Sequence, residues 1–270
     1  MTARPPLRPE QFDRYRRHLS LPELGVEGQQ ALLAGSVLLI GAGGLGCPLA
    51  QYLAAAGVGR IGLVDFDVVD ASNLQRQVIH TTERLGAPKV ESAKAALAAV
   101  NPDITVETFG ERLTAKNAAE IIGNFDLVAD GSDNFDTRYL VNDACYLAKV
   151  PLVSAALLRF EGQLSTFRAY EGEGDAKGPC YRCVFREPPP EGMVPRCEEA
   201  GIFGAVAGAV GSLQAAEVLK EILGLGDTMS GRLLLYDALG TTFRVIKVKR
   251  AADCPLCGDA PTIRDLSIHS

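Results

Sequence analysis

The chain has 270 residues, 47% of them hydrophobic, and a net charge of −6 at neutral pH. That length suits one large α/β domain with a sizeable core. The acidic balance argues against general nucleic-acid binding, and no apolar run reaches the ~18 residues needed to span a membrane. Residues 1–10 are polar and proline-bearing, which does not suit a secretory signal. A cytoplasmic protein is therefore expected. Its seven cysteines then read as metal ligands or reactive thiols rather than a disulfide framework.

In chain order, residues 1–10 read as a disordered lead. Residues 10–33 read as helical and carry Arg14-Tyr15-Arg16-Arg17-His18-Leu19. Three arginines within four residues are either a solvated face or an arm that reaches phosphates, in its own subunit or a partner's. The apolar run 37–40 reads as a strand, and Gly41-Ala42-Gly43-Gly44-Leu45-Gly46 follows it directly, before an alanine-rich helix over 47–56. In such a turn Gly41 permits the tight bend, Gly43 lets the backbone approach a phosphate, and Gly46 lets helix and strand pack closely. The helix start offers unpaired N–H groups to an anion. A second strand over 61–64 ends in Asp65-Phe66-Asp67. Asp65 lies near the spacing of roughly 20 residues at which a carboxylate reads a ribose hydroxyl. The polar and cationic stretch Ser72-Asn73-Leu74-Gln75-Arg76-Gln77 comes next.

A helix over 88–100 contains Lys89, with Pro88 in its first turn. Strands are expected over 104–108 and 125–129, with a helix over 116–123 between them. The last of these strands runs into Asp130-Gly131-Ser132-Asp133-Asn134. Asp65, Asp130 and Asp133 all follow strand ends, where open parallel sheets bind ligands, so they can converge on the glycine turn. A helix over 137–149 and a strand over 152–155 complete this pattern. An antiparallel or mixed strand over 162–170 follows, and then a Gly/Pro-rich functional loop over 172–195. A small-residue helix over 204–223 suits tight packing in a core or a subunit interface. Late strands are expected over 233–236 and 243–248. The whole reads as a Rossmann-like, doubly wound mixed sheet with helices on both faces and a zinc-stapled C-terminal part. One domain spans 11–258, with a nucleotide half over about 35–150, a zinc half over about 151–258, and a tail over 259–270.

Cys180 and Cys183 form one CxxC pair, and Cys254 and Cys257 form another. Two such pairs complete a closed tetrahedral zinc site of structural type. A redox role is the rival for either pair alone. Cys197 is either a nucleophile, helped to ionise by Arg196 and opposed by Glu198 and Glu199, or an ordinary cysteine. Cys47 and Cys145 fall on helices and read as core. His18, His80 and His269 share no spacing that suggests a site. The cations bear on the choice of nucleotide. A triphosphate needs Lys, Arg and a divalent ion, which also stabilise a transferring phosphorus. Arg76 and Lys89 suit the phosphates and Asp133 a magnesium ion. An NAD-dependent oxidoreductase explains the glycine turn and Asp65 but leaves these residues unexplained. A non-catalytic scaffold that keeps the fold is the other rival.

Taken together, these motifs resemble the MoeB/ThiF family of ubiquitin-activating-like adenylyltransferases. The likeness runs over about residues 11–258. It rests on Arg14-Tyr15 with Arg17, the glycine turn, 65–67, 72–77, Lys89, 130–134, both CxxC pairs and Gly211-Ser212-Leu213-Gln214-Ala215. The resemblance implies an enzyme that uses ATP and magnesium to adenylylate the C-terminal Gly-Gly carboxylate of a small ubiquitin-like sulfur carrier, giving acyl-AMP and pyrophosphate before thiocarboxylate formation. It implies that Gly44 and the turn lie against the nucleotide and Asp65 takes the ribose. Asn73, Arg76 and Lys89 take the phosphates, Asp133 takes magnesium, and Asn134 adjoins the site, with Asp67, Ser72 and Gln75 in the matching motifs. Arg17 would reach the other subunit's site of a homodimer. Cys197 matches a loop cysteine that some relatives join covalently to the carrier. With no room for a sulfurtransferase domain, sulfur is expected from a separate donor. A role like that of MoeB in molybdopterin synthesis is favoured over the thiamine and tRNA-thiolation branches.

Overall fold

The computed structural model describes residues 6–172, 177–190 and 200–270. Near the N-terminus lie three short helices, α1 (Pro9–Arg14), α2 (Arg16–Leu19) and α3 (Gly25–Ala34). The single helix expected over 10–33 is thus interrupted twice. Tyr15 departs from helical geometry at ψ 12°. Pro22 then disfavours helical backbone at the residue before it, and Gly25 restarts the chain at φ +55°. α1 begins at Pro9, and the Arg8 guanidinium pairs with Asp103 at 2.5 Å.

The remaining elements are β1 (Ser36–Ile40), α4 (Gly46–Ala56), β2 (Arg60–Val64), α5 (Lys89–Val100), β3 (Thr105–Phe109), α6 (Ala118–Gly123), β4 (Leu127–Asp130), α7 (Phe135–Ala148), β5 (Leu152–Leu158), β6 (Glu161–Phe167), α8 (Tyr181–Val184), α9 (Gly204–Leu223), β7 (Arg232–Asp237) and β8 (Thr242–Lys247). All eight strands join one sheet in the order β3-β2-β1-β4-β5-β6-β7-β8. The first five run parallel, and β6, β7 and β8 extend the sheet antiparallel. β1 and β4 are neighbours although β2 and β3 lie between them in sequence. Their connections leave in opposite directions, which opens a crevice at their carboxyl ends.

The two-residue side-chain period of a strand explains why helices cover both faces. Val37 and Leu39 of β1 enter one apolar cluster with α3, α4, α5 and α9. Leu38 and Ile40 enter a second with α6 and α7. All five residues of β1 are buried. The small-residue helix α9 crosses α4 where Gly211 meets Pro48 and Leu45. A Cβ at Gly211 would fall 2.5 Å from the Pro48 ring. β8 closes the sheet with all six residues exposed, and its Phe243 stacks on Tyr236 of β7 at 4.5 Å. Among the described residues no helix is long and apolar enough to cross a membrane.

Candidate active site

The glycine turn leaves β1 at its carboxyl end. Gly41 sits at φ +94°, a region that costs side-chain-bearing residues, and its N–H donates to the Val64 carbonyl at 2.8 Å. A Cβ on Gly46 would fall 2.0 Å from the Gly41 carbonyl oxygen, so only glycine lets α4 start this close to β1. Gly43 differs. A Cβ there would meet only the Gln77 side-chain nitrogen, at 3.6 Å. Protein packing therefore does not demand glycine at 43, whereas close approach of a ligand to the backbone would.

The Ala42 peptide is held from both sides. Its N–H donates to the Asp65 carboxylate at 2.8 Å. Its carbonyl accepts from His80 Nε2 at 3.0 Å. A carbonyl can only accept, so Nε2 carries the ring proton, and Nδ1 faces the Ser92 hydroxyl at 2.9 Å. Burial holds the His80 imidazole below its ordinary value, which keeps the ring neutral in this role. The sequence offers no sign of this brace, because His80 and Ala42 are 38 positions apart. Burial also pushes the Asp65 carboxyl up, against the pull of the Lys89 ammonium and the N–H groups of Asp67 and Ala42.

Lys89 opens α5 with its side chain only 7% exposed, and its Nζ pairs with the more exposed Asp67 at 2.8 Å. Burial leaves this ammonium little freedom to leave the site. Residues 70–77 form a polar loop. Asp70 accepts from the backbone and hydroxyl of Ser72 at 2.8 and 2.6 Å. Asn73 reaches the Ser72 hydroxyl at 3.4 Å, and Arg76 donates to the Ser72 carbonyl at 3.1 Å. The loop is pressed against the start of α9, where a Cβ on Gly204 would fall 2.5 Å from the Gln75 carbonyl.

The turn and both loops surround a cavity of about 150 Å³ that Asp65, Arg76, Lys89, Asp133 and Asn134 all line. Gln77 lines it too, and its buried Oε1 has no hydrogen-bond partner among the described residues. Asn134 caps α7 by accepting from the Thr137 N–H at 2.9 Å, and its amide lies 3.3 Å from Asp133 Oδ1. Arg138 steadies the same loop by donating twice to the Ser132 carbonyl, at 3.2 and 2.8 Å. Asp130 does not join the cavity, contrary to the sequence expectation. It is fully buried, which pushes its carboxyl up. It accepts from the Ser132 N–H at 2.9 Å and from Ser154 at 3.3 Å, so it shapes the end of β4 from within. Ser72, Asn73 and Gln75 support the rim without lining the cavity. Arg17 lies exposed on α2, outside the cavity walls, and makes no hydrogen bond or ion pair among the described residues. Cys197 lies outside the described residues.

The second centre lies elsewhere on the domain. The sulfurs of Cys180, Cys183, Cys254 and Cys257 all fall within 4.8 Å of one another. The closer pairs are 3.3–3.8 Å apart. Tetrahedral zinc with sulfur at about 2.3 Å requires sulfur–sulfur edges of about 3.8 Å. The four thiols therefore fit that ion, and they are too far apart for disulfides. A buried anchor supports them. Arg182, inside the first CxxC, makes a two-pronged pair with the fully buried Asp143 at 2.8 and 2.7 Å. His269 reaches the same carboxylate at 2.8 Å. Residues beyond 258, which carried no signal in the sequence, are thus tied to α7, with Ile263 packed against the cysteines. Cys47 and Cys145 are buried. Burial holds the Cys47 thiol at about 12.

A family model described as the ThiF family matches residues 15–256. The sulfur carrier protein adenylyltransferase of Thermus thermophilus is 54% identical over 257 residues, covering 95% of this chain and 94% of that protein. The SAMP-activating enzyme E1 of Haloferax volcanii is 47% identical and covers 92% of this chain and 90% of its own length. The bovine adenylyltransferase and sulfurtransferase MOCS3 is 55% identical over 95% of this chain, which spans 55% of that longer protein. Among solved structures, E. coli MccB with MccA-N7isoASN superposes with a TM-score of 0.78 over 91% of this chain and 74% of its own, at 22% identity. That likeness concerns the fold.

Proposed function

The chain belongs to the ThiF family, and from that premise we propose that it adenylylates the C-terminal Gly-Gly carboxylate of a small ubiquitin-like sulfur carrier with ATP. The observation that carries this reading is convergence. The glycine turn, Asp65, Arg76, Lys89 and Asp133 leave three strand ends and line one cavity. A dinucleotide-dependent oxidoreductase would use the turn and Asp65 but has no use for two cations and a further carboxylate at the same place. The names of the near-full-length relatives, an adenylyltransferase of a sulfur carrier and an activating enzyme, support the same reading.

In this reading the turn N–H groups and the start of α4 hold phosphate. Asp65 takes the ribose. Arg76 and Lys89 neutralise phosphate charge, and the Asn73 amide donates to phosphate from the rim. Asp133 would hold the magnesium ion, which spreads the negative charge of the phosphates. The carrier carboxylate is already ionised at neutral pH, so no strong base is required. Its oxygen forms a bond to the α-phosphorus while the bond from that phosphorus to the bridging oxygen breaks, and pyrophosphate leaves. Rate comes from alignment and from charge neutralisation. The four cysteines would hold one structural zinc, which stiffens the C-terminal part and leaves no open coordination position for chemistry.

The finer assignments belong to the same proposal. The enzyme acts as a homodimer in which Arg17 reaches across to the partner's phosphates. Cys197 is available to carry the activated carrier. A separate protein supplies the sulfur, and the product is a carrier thiocarboxylate made in the cytoplasm. The testing experiment is ATP–pyrophosphate exchange with Gly-Gly-ended carriers added one at a time. Exchange that depends on one carrier supports the proposal and names the branch. No exchange with any carrier, in zinc-loaded protein that binds ATP, would move the chain to a scaffold role.

A further inference from the structure

Arg112 lies just beyond the carboxyl end of β3 and lines the same cavity. Its guanidinium carbon sits 4.1 Å from the centre of the Phe66 ring. Four arginines lie over aromatic rings in the described chain, and three are also engaged at their edges. Arg60 pairs with Glu107, Arg138 donates to the Ser132 carbonyl, and Arg182 pairs with Asp143. Arg112 has no such partner among the described residues. The neighbouring acid, Glu111, accepts instead from Asn117 at 2.9 Å. Arg112 is therefore an exposed cation whose orientation is set by an aromatic ring at the wall of a ligand cavity.

The sheet order says which part of a nucleotide reaches it. The glycine turn leaves β1, Asp65 leaves β2, and Arg112 follows β3, with β2 between the other two. A nucleoside triphosphate is laid out in line as phosphates, ribose and base. With phosphate at the turn and ribose at Asp65, the base continues toward the end of β3. A guanidinium is flat and stacks on aromatic faces. With one face on Phe66, its other face is available to a second flat group.

We propose that Arg112, held by Phe66, stacks on the base of the bound nucleotide and is a base-contacting, specificity-determining residue of this site. The inference rests on the nucleotide reading of the cavity. It gives Arg112 a different part from Arg76 and Lys89: it recognises a ring rather than phosphate charge.

The experiment is calorimetric titration of the full chain with magnesium ATP, with adenosine and with inorganic tripolyphosphate. The proteins are wild type, Arg112→Ala and Phe66→Leu, the last of which removes the ring that orients the guanidinium. Stacking on one base predicts that Arg112→Ala weakens ATP and adenosine by the same factor, about tenfold, and leaves tripolyphosphate unchanged. Phe66→Leu should produce a smaller loss of the same pattern. If ATP and tripolyphosphate weaken while adenosine does not, Arg112 is a phosphate contact and the inference is overturned. Unchanged binding of all three ligands overturns it as well. Wild-type protein that binds neither ATP nor adenosine would instead overturn the nucleotide reading itself, and this inference with it.

Discussion

The Asp65 carboxylate accepts the N–H of Ala42, 23 positions earlier, at 2.8 Å. The acid at the end of β2 is thereby tied to the turn at the end of β1, so one residue both shapes the glycine turn and lines the cavity. Asp65→Ala should strand the Ala42 N–H in a buried turn and cost about 1–3 kcal/mol in urea unfolding. Asp65→Asn keeps an acceptor and should fold well while losing nucleotide affinity. Burial raises this carboxyl above 3.8, so the folded chain holds its proton more tightly than the unfolded chain. The associated stabilisation is full below 3.8 and is lost as pH rises through the raised value. The stability of Asp65→Asn relative to wild type should therefore improve as pH rises through that range. A difference that does not change with pH would contradict the assignment.

His80 supports the same peptide from the other side. His80→Phe leaves the Ala42 carbonyl and the Ser92 hydroxyl without their partner, at an expected cost of about 1–3 kcal/mol. Nucleotide binding should weaken with it. Burial depresses the imidazole below 6.5, so its contribution is present above 6.5 and is lost as pH falls from there toward the folded value. The stability gap between wild type and His80→Phe should narrow over that interval. Chemical denaturation on both sides of pH 6.5 measures it.

The cysteine cluster predicts about one zinc per chain by elemental analysis of freshly purified protein. Stripping the metal with a chelator should lower the melting temperature, because the clip joins segments 74 positions apart. Cys257→Ser should do the same without chelator. Purified protein that contains no metal, and whose melting is unmoved by chelation, would refute the zinc assignment.

Arg17 offers a test of shared sites. Arg17→Ala and Asp133→Ala proteins should each lose most carrier-dependent exchange while remaining folded. Mixed dimers should regain part of it, since one site of each heterodimer then carries both wild-type groups. Verified heterodimers that remain inactive would place Arg17 outside the partner's site.

What could be read from the sequence was local. Gly41, Gly43 and Gly46 directly after an apolar run, with Asp65 at the next strand end, reveal strand, turn, helix and strand because each signal lies within a few residues of the element it defines. The two CxxC pairs are legible for the same reason: ligand spacing is a property of one short segment. The second break in the helix expected over 10–33, at Pro22, shows how one proline outweighs favourable neighbours. The inward turn of Asp130 depends on Ser154 and Ser132 around it, and nothing in the run 130–134 separates it from Asp133. His80 on Ala42, Arg112 on Phe66 and Arg182 on Asp143 are tertiary pairings between distant positions. Only the folded sheet brings them together.

The spacing of the cysteines also orders events during synthesis. The parallel strands, whose connections carry Asp65, Arg76, Lys89, Arg112 and Asp133, are complete by residue 158. The first CxxC is translated only afterwards, and its partner 74 positions later still. With α9 added by residue 223, the half of the domain around the glycine turn can therefore condense on the ribosome before all four cysteines are available. Metal capture would then act as a late checkpoint on a chain whose glycine-turn cavity is already formed. A cell short of zinc would accumulate protein that binds nucleotide with its C-terminal part unsecured.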